Sequence, residues 1–296
     1  MSVELLDLRV RLEARAKLGF PLSTVEKDYA ISYFALGVSR TAELSPLHFK
    51  GGTLLRKVFF AGYRFSEALD YTSTAKLSCN QLLELFQEAA KTATDAARAY
   101  SPLSFAVQRV RAGRPHPMEQ CQFKVMARFP WQRSDSSVTR LKLEVAVHEH
   151  LHFGSNKARL VHEYDGERLE ATLNTYALSE VVVEKIRAFG QVRKHLEDKG
   201  WVNPRVRDLY DLWWVTTQQK EFDFDWKAVR AGLDAKCPDV GLAVRGRGDF
   251  EDGRVLDTYK RVWGPRLAPL LSGGDVPDFN EALRAYEAVL GKVFPE

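Results

Sequence analysis

With 296 residues, 45% of them hydrophobic and 28% charged, the chain can bury one large core or two smaller ones. Its net charge of +4 allows a nucleic-acid partner without demanding one. No apolar run approaches the length needed to span a bilayer, and the start Met1-Ser2-Val3-Glu4 lacks the basic, then apolar, character of a signal peptide. The three cysteines, Cys79, Cys121 and Cys237, are odd in number and far apart, which argues against structural zinc or a disulfide frame and for a reducing compartment. A cytoplasmic protein without a membrane partner is expected.

In chain order, residues 3–18 carry a helical apolar pattern, and Ser23 with Glu26 has capping-box spacing at the start of a second helix. His48-Phe49-Lys50 reads as a short strand, Gly51-Gly52-Thr53 as a turn, Leu54–Lys57 as helical, and Arg64–Thr72 as a second strand with an acidic position. Ser78 is placed to cap a long helix through Ala99. Strands follow over about 119–130 and 138–148. In the latter, Leu141, Leu143, Val145 and Val147 alternate with Lys142, Glu144, Ala146 and His148. Glu144 reads either as a third carboxylate for a metal or as a solvated glutamate on an edge strand. His148, His150 and His152 alternate as a metal site would, but no further ligand has suitable spacing, and an exposed strand end is the better reading. A loop over 154–167 precedes a helix from Ser179 to Lys199. The remainder is mostly helical, over Asp208–Thr217, Trp226–Lys236, Asp249–Val262 and Asn280–Val293. The fold class is therefore α+β: a core with a mixed sheet over 1–170, then a mostly helical domain over 171–296.

The Gly-Gly pair permits close backbone approach to a phosphate, and the acidic strand beyond it suits a hard cation such as Mg²⁺. Basic residues cluster at Arg109, Arg111 and Arg114 and again from Arg245 to Arg266, as either a solvated surface or a nucleic-acid footprint.

The motifs Glu26-Lys27-Asp28-Tyr29, Phe49-Lys50-Gly51-Gly52-Thr53 and Arg64-Phe65-Ser66-Glu67-Ala68-Leu69-Asp70-Tyr71 occur in that order. Val183-Glu184-Lys185-Ile186-Arg187-Ala188 and Arg207-Asp208-Leu209-Tyr210-Asp211-Leu212 follow them. Together they resemble the AbiEii/AbiGii toxin family of nucleotidyltransferases in the DNA polymerase β superfamily. The resemblance implies a polymerase-β-type core, with the helical domain completing the active site. It implies a toxin that transfers NMP from an NTP to a tRNA 3′ end with Mg²⁺ or Mn²⁺ and is paired with an antitoxin in a toxin–antitoxin or phage-defence system. It assigns Asp70, Lys185 and Asp208 to catalysis, Asp70 with Glu144 to the metal, and Gly51, Gly52, Thr53, Arg56, Lys57, Ser66, Lys185 and Asp211 to the nucleotide. Ser66 is also a candidate phosphorylation site.

One position departs from the pattern. Ala68 stands where the family has Asp, and a methyl group cannot ligate a metal, so this form is expected to transfer little. Because the flanking motif is intact, a replaced aspartate reads better than a decayed enzyme. A small-molecule nucleotidyltransferase of aminoglycoside type and a catalytically dead protein that binds NTP, RNA or antitoxin are the competing readings.

Overall fold

The computed structural model describes residues 5–110, 120–147, 149–219 and 222–295, with the backbone alone at 5 and 6. The chain divides into two compact units. One holds residues 1–149, 155–176 and 270–273; the other holds 150–154, 177–269 and 274–296.

The first unit is built on a seven-stranded mixed sheet. Its strands are β1 (Leu47–Lys50), β2 (Ala68–Ser73), β3 (Ser104–Val110), β4 (Gln120–Arg128), β5 (Thr139–Val147), β6 (Ser155–Arg159) and β7 (Thr172–Tyr176), in spatial order β3-β4-β5-β2-β1-β7-β6. Strand β2 runs parallel to β5, and β1 runs parallel to β7; the other neighbours are antiparallel. Period-two alternation gives the sheet two unlike faces. Phe49, Leu69, Phe123, Val125, Leu141, Leu143 and Val145, none more than 1% exposed, line the apolar one.

That face is covered by helices. α1 (Leu5–Ala16) leads to α2 (Leu22–Arg40), which is buried from Thr24 to Val38 on almost every side, as expected of a core helix. α4 (Cys79–Ala97) instead buries one stripe, Leu82, Phe86, Ala89, Ala90, Ala93 and Ala97. Phe86 stands between Phe34 of α2 and Phe123 of β4, with ring centroids 6.2 and 5.2 Å away. Burying one such ring stabilises by about 1.5–3 kcal/mol. Between β1 and β2, α3 (Gly51–Leu54) runs into a π-helical turn, Leu55–Phe59.

The second unit is helical: α5 (Leu178–Lys199), α6 (Val206–Trp213) continued by a π turn over Trp214–Gln218, α7 (Trp226–Lys236), α8 (Gly253–Leu267) and α9 (Phe279–Val293). Phe189 of α5 packs on Tyr259 of α8 and Tyr286 of α9, at 5.8 and 5.0 Å between centroids. No helix among the described residues is long and apolar enough to cross a membrane.

The α+β class and its mixed sheet agree with the sequence pattern, and four local expectations are corrected. Ser78 does form a capping box with Gln81, but Ser23 and Glu26 do not, because α2 begins at Leu22 without a side-chain cap. Glu26 is instead taken up by Trp131 Nε1 at 2.9 Å, Gln132 Nε2 at 3.2 Å and Thr139 Oγ1 at 3.1 Å. The expected loop over 154–167 contains β6, which pairs antiparallel with β7. Strand β5 is no edge strand, since it lies between β4 and β2. Finally, Cys79 and Cys121 form a disulfide joining the start of α4 to β4, with Cα atoms 5.4 Å apart, and Cys237 is free and buried. The bond removes the cysteine argument for a reducing compartment. Sequence spacing misled because 42 residues of chain return to bring the pair together.

Candidate nucleotidyltransferase site

The polar face of the sheet carries the first cluster. Register places Lys50 of β1 opposite Asp70 of β2, and Asp70 opposite Glu144 of β5. Partners in register share a face, so Asp70 and Glu144 are neighbouring carboxylates on adjacent strands. Glu144 accepts from Gln122 Nε2 at 2.8 Å and pairs with Lys142 Nζ at 2.7 Å. Ala68 lies two residues before Asp70 on the same face, opposite Lys142.

The Gly-Gly-Thr turn is fitted to this strand by contacts that dictate its residues. Gly51 has φ +80°, and a Cβ there would stand 2.7 Å from Asp70 Oδ2. At Gly52 a Cβ would meet Arg64 Nη2 at 2.5 Å. Only glycine meets both demands without displacing the carboxylate or the guanidinium. The hydroxyl of Thr53 donates to the Ala68 carbonyl at 2.5 Å, which clips the turn onto β2 at the departing position. Arg64 is buried under the turn and donates to the Phe65 carbonyl at 3.1 Å. Ser66 is buried as well.

Arg56 and Lys57 are placed elsewhere than expected. They are 2% and 1% exposed and point into the core, not toward the polar face. Arg56 Nε meets Asp28 Oδ1 at 2.7 Å, Arg56 Nη2 meets Glu163 Oε2 at 2.8 Å, and Lys57 Nζ meets Asp28 Oδ1 at 2.9 Å. Burial alone would raise the Asp28 carboxyl, but Lys57 and Arg56 outweigh it and hold the group far below the usual range. Burial pushes the Lys57 ammonium down to about 8. The two partners shift unequally because Asp28 has two cations, whereas Lys57 shares one carboxylate with Arg56. The rest of the Glu26–Tyr29 motif is equally committed: Lys27 Nζ reaches Glu67 Oε1 at 2.5 Å and Tyr29 donates to Glu167 at 3.0 Å. This motif is an anchor for the site.

A neighbouring cluster centres on Glu149, which lies in none of the sequence motifs. Glu149, 4% exposed, receives Lys50 Nζ at 2.5 Å, Thr72 Oγ1 at 2.8 Å and Tyr176 Oη at 3.1 Å. Lys50 belongs to the Phe49–Thr53 motif. Glu149 lies beyond the end of β5, where alternation stops signalling.

In the helical unit, Lys185 of α5 is held by two carboxylates of α6, Asp208 Oδ1 at 2.5 Å and Asp211 Oδ2 at 2.8 Å. The three-residue spacing of the aspartates puts both on the face toward Lys185. Arg205 Nε adds a contact to Asp208 Oδ2 at 2.8 Å, a partner not foreseen from sequence. Burial opposes the Asp208 charge, yet Arg205 and Lys185 hold its carboxyl below the usual range. Lys185, Phe189, Asp208, Tyr259 and Tyr286 line a small cavity beside this cluster.

Of the basic clusters, Arg109 donates to Asn80 Oδ1 at 2.6 Å, while Arg111 and Arg114 lie outside the described residues, as does His148. His150 is exposed and His152 packs edge-on against Phe153, both beyond the strand.

The nucleotidyltransferase AbiEii toxin family, of type IV toxin–antitoxin systems, matches residues 35–285, most of the chain and all but the first of its motifs. The chain belongs to the AbiEii nucleotidyltransferase toxin family. Its fold is similar to that of MenT4, the nucleotidyltransferase toxin Rv2826c of Mycobacterium tuberculosis H37Rv, with a TM-score of 0.62 at 21% identity over 96% of this chain and 89% of that one. No functionally curated protein gives a significant match. The family match covers the Gly51-Gly52 turn, the strand carboxylate Asp70 and, in register with it, Glu144.

Proposed function

We propose that the protein is a toxin whose Asp70 form of the site, completed by aspartate at position 68, transfers NMP from an NTP to a tRNA 3′ end in the cytoplasm and so blocks translation. The observation that carries this reading is the in-register Asp70–Glu144 pair beside a Gly51-Gly52 turn, where an added Cβ would displace the Asp70 carboxylate or the Arg64 guanidinium. Such a turn offers backbone N–H groups to a triphosphate, and neighbouring carboxylates suit Mg²⁺ or Mn²⁺.

The fit of a metal can be tested against the donors present. Among the described residues no group of three or more His, Cys, Asp or Glu side chains could hold a metal ion. On the polar face Asp70 and Glu144 are the neighbouring strand carboxylates, and Glu144 is engaged by Gln122 and Lys142. The Ala68 chain therefore lacks the strand carboxylate that the family pattern places beside Asp70. Aspartate at 68 would project from the same face as Asp70 and supply the missing ligand. Lys185, positioned by Asp208 and Asp211, is assigned to nucleotide phosphates, with Asp208 as its positioning carboxylate or the general base. Ser66 retains its assignment as a modification site for a kinase-type antitoxin; its burial requires local opening first.

Ala68 itself favours a second reading, a binding protein that has lost transfer. The two are separated by expressing Ala68→Asp under induction and following both growth and label from NTP into tRNA. Growth arrest with labelled tRNA 3′ ends supports the toxin. Healthy growth and unlabelled tRNA with soluble Ala68→Asp protein would leave the binding reading. From the loss of one metal ligand we expect the Ala68 chain to be roughly a thousandfold slower than Ala68→Asp.

A further inference from the structure

A concavity in the helical unit shares no residue with the Lys185 cluster. It encloses about 490 Å³ between the start of α7, residues 245–247 and the end of α9. Five of its ten lining residues are basic, Lys227, Arg230, Arg245, Arg247 and Lys292, and none is acidic. The remainder include two half-buried aromatic residues, Trp226 and Phe294. Such a lining selects an anion that also carries apolar surface.

The arrangement differs from an ordinary solvated patch in two ways. First, the cations are organised around the rings: Arg230 lies over Phe294 at 4.5 Å and Lys292 over Trp226 at 5.2 Å. Second, each arginine is steered by a carboxylate four residues on, Arg230 by Asp234 at 3.0 Å, Arg245 by Asp249 at 3.2 Å and Arg247 by Glu251 at 2.7 Å. Those pairs partly neutralise the arginines but fix their direction, which lowers the entropy lost on binding. Among the described residues Lys227 and Lys292 have no carboxylate partner, so they supply the uncompensated charge of the pocket.

We propose that this pocket binds a nucleotide unit of an RNA strand, with the lysines and arginines on its phosphates and the aromatic floor against its base or ribose. A nucleotide matches the cavity in size and in its mixture of anionic and apolar surface. The proposal rests on the RNA-directed reading above and names a contact for that substrate away from the Lys185 cluster.

The test measures binding of a fluorescein-labelled single-stranded RNA of about twelve nucleotides, by anisotropy across a salt series, to the full chain and to its Lys227→Glu/Lys292→Glu variant. Thermal unfolding controls for fold, and Lys227→Gln/Lys292→Gln replaces the reversal should it fail to fold. We expect affinity to fall on the order of tenfold and the slope of log K against log salt to shrink by about 0.7 per lysine. A folded variant that keeps both affinity and slope overturns the pocket while leaving RNA as substrate. An unmutated chain that binds neither this RNA nor bulk tRNA at low salt overturns the pocket and the RNA reading together. AMP or UMP bound as tightly as the strand, and lost in the variant, would overturn the strand in favour of a free nucleotide.

Discussion

An arginine and a lysine three and four residues after a Gly-Gly-Thr turn invite assignment to phosphate, yet Arg56 and Lys57 are consumed by Asp28 and Glu163 inside the core. Sequence distance hides this, because Asp28 precedes Arg56 by 28 residues and Glu163 follows it by more than a hundred. The consequence is a sharp contrast between neighbours in one motif. Asp28→Asn leaves two buried cations facing a neutral amide, and a buried pair broken from one side costs about 3–5 kcal/mol. Lys27→Ala removes only the half-exposed contact with Glu67, worth at most about 1 kcal/mol. Urea titrations of the two variants at pH 7 should show that order; equal losses would mean that Asp28 is not the anchor of the motif.

At the scale of elements, local signals were legible and long-range pairings were not. The alternation of β5 and the Ser78 box with Gln81 could be read directly, since each lies within a few residues of its own evidence. Glu144 is paired with Asp70 through the family resemblance and not from periodicity, because the paired residues lie 74 positions apart in sequence on strands that meet in parallel. Short, polar β6 escaped detection, since five residues with little apolar content carry no periodic signal. The glycines and Asp70 of the sheet unit, and Lys185, Asp208 and Asp211 of the helical unit, all lie in motifs legible in the sequence; the pairings of Lys50 with Glu149 and of Arg205 with Asp208 are seen only in the fold. The Cys79–Cys121 bond belongs with these long-range features. Closing a loop of 42 residues should stabilise the sheet unit by about 4 kcal/mol through lost unfolded-state entropy. Reduction with dithiothreitol should lower the urea midpoint accordingly, and a Cys79→Ser/Cys121→Ser variant should match the reduced chain and ignore the reductant. An unchanged midpoint on reduction would show that α4 and β4 need no staple.

For the whole molecule, the buried titratable groups predict how stability varies with pH, because each binds protons differently in the folded and unfolded chain. Asp28, Glu167 and Asp208 are all held below their ordinary values, so their contribution is present above about pH 4.5 and lost as pH falls further. Burial lowers His162, whose unfolded form takes up a proton near 6.5 while the folded ring stays neutral. Stability therefore also declines as pH drops through that value. On the alkaline side Lys57 falls to about 8 from 10.5, so above pH 8 the unfolded chain holds the extra proton and stability rises with pH. Two opposing effects close this window. Burial raises the Cys237 thiol from 9.0 to about 12, and Tyr29, Tyr33, Tyr71 and Tyr259 are raised above 10.0. The unfolded forms of these groups ionise first, so stability falls as pH climbs past 9 and more steeply past 10. The urea midpoint should accordingly rise from pH 3 to pH 7, rise again between 8 and 9, and fall beyond 10. Lys57→Met isolates the decisive step, because it deletes the titrating group while Arg56 still neutralises Asp28. The variant should lose the rise between pH 8 and 9 and keep the fall above 10. A midpoint for Lys57→Met that climbs through this window as the unmutated chain does would mean that Lys57 is not the group that titrates.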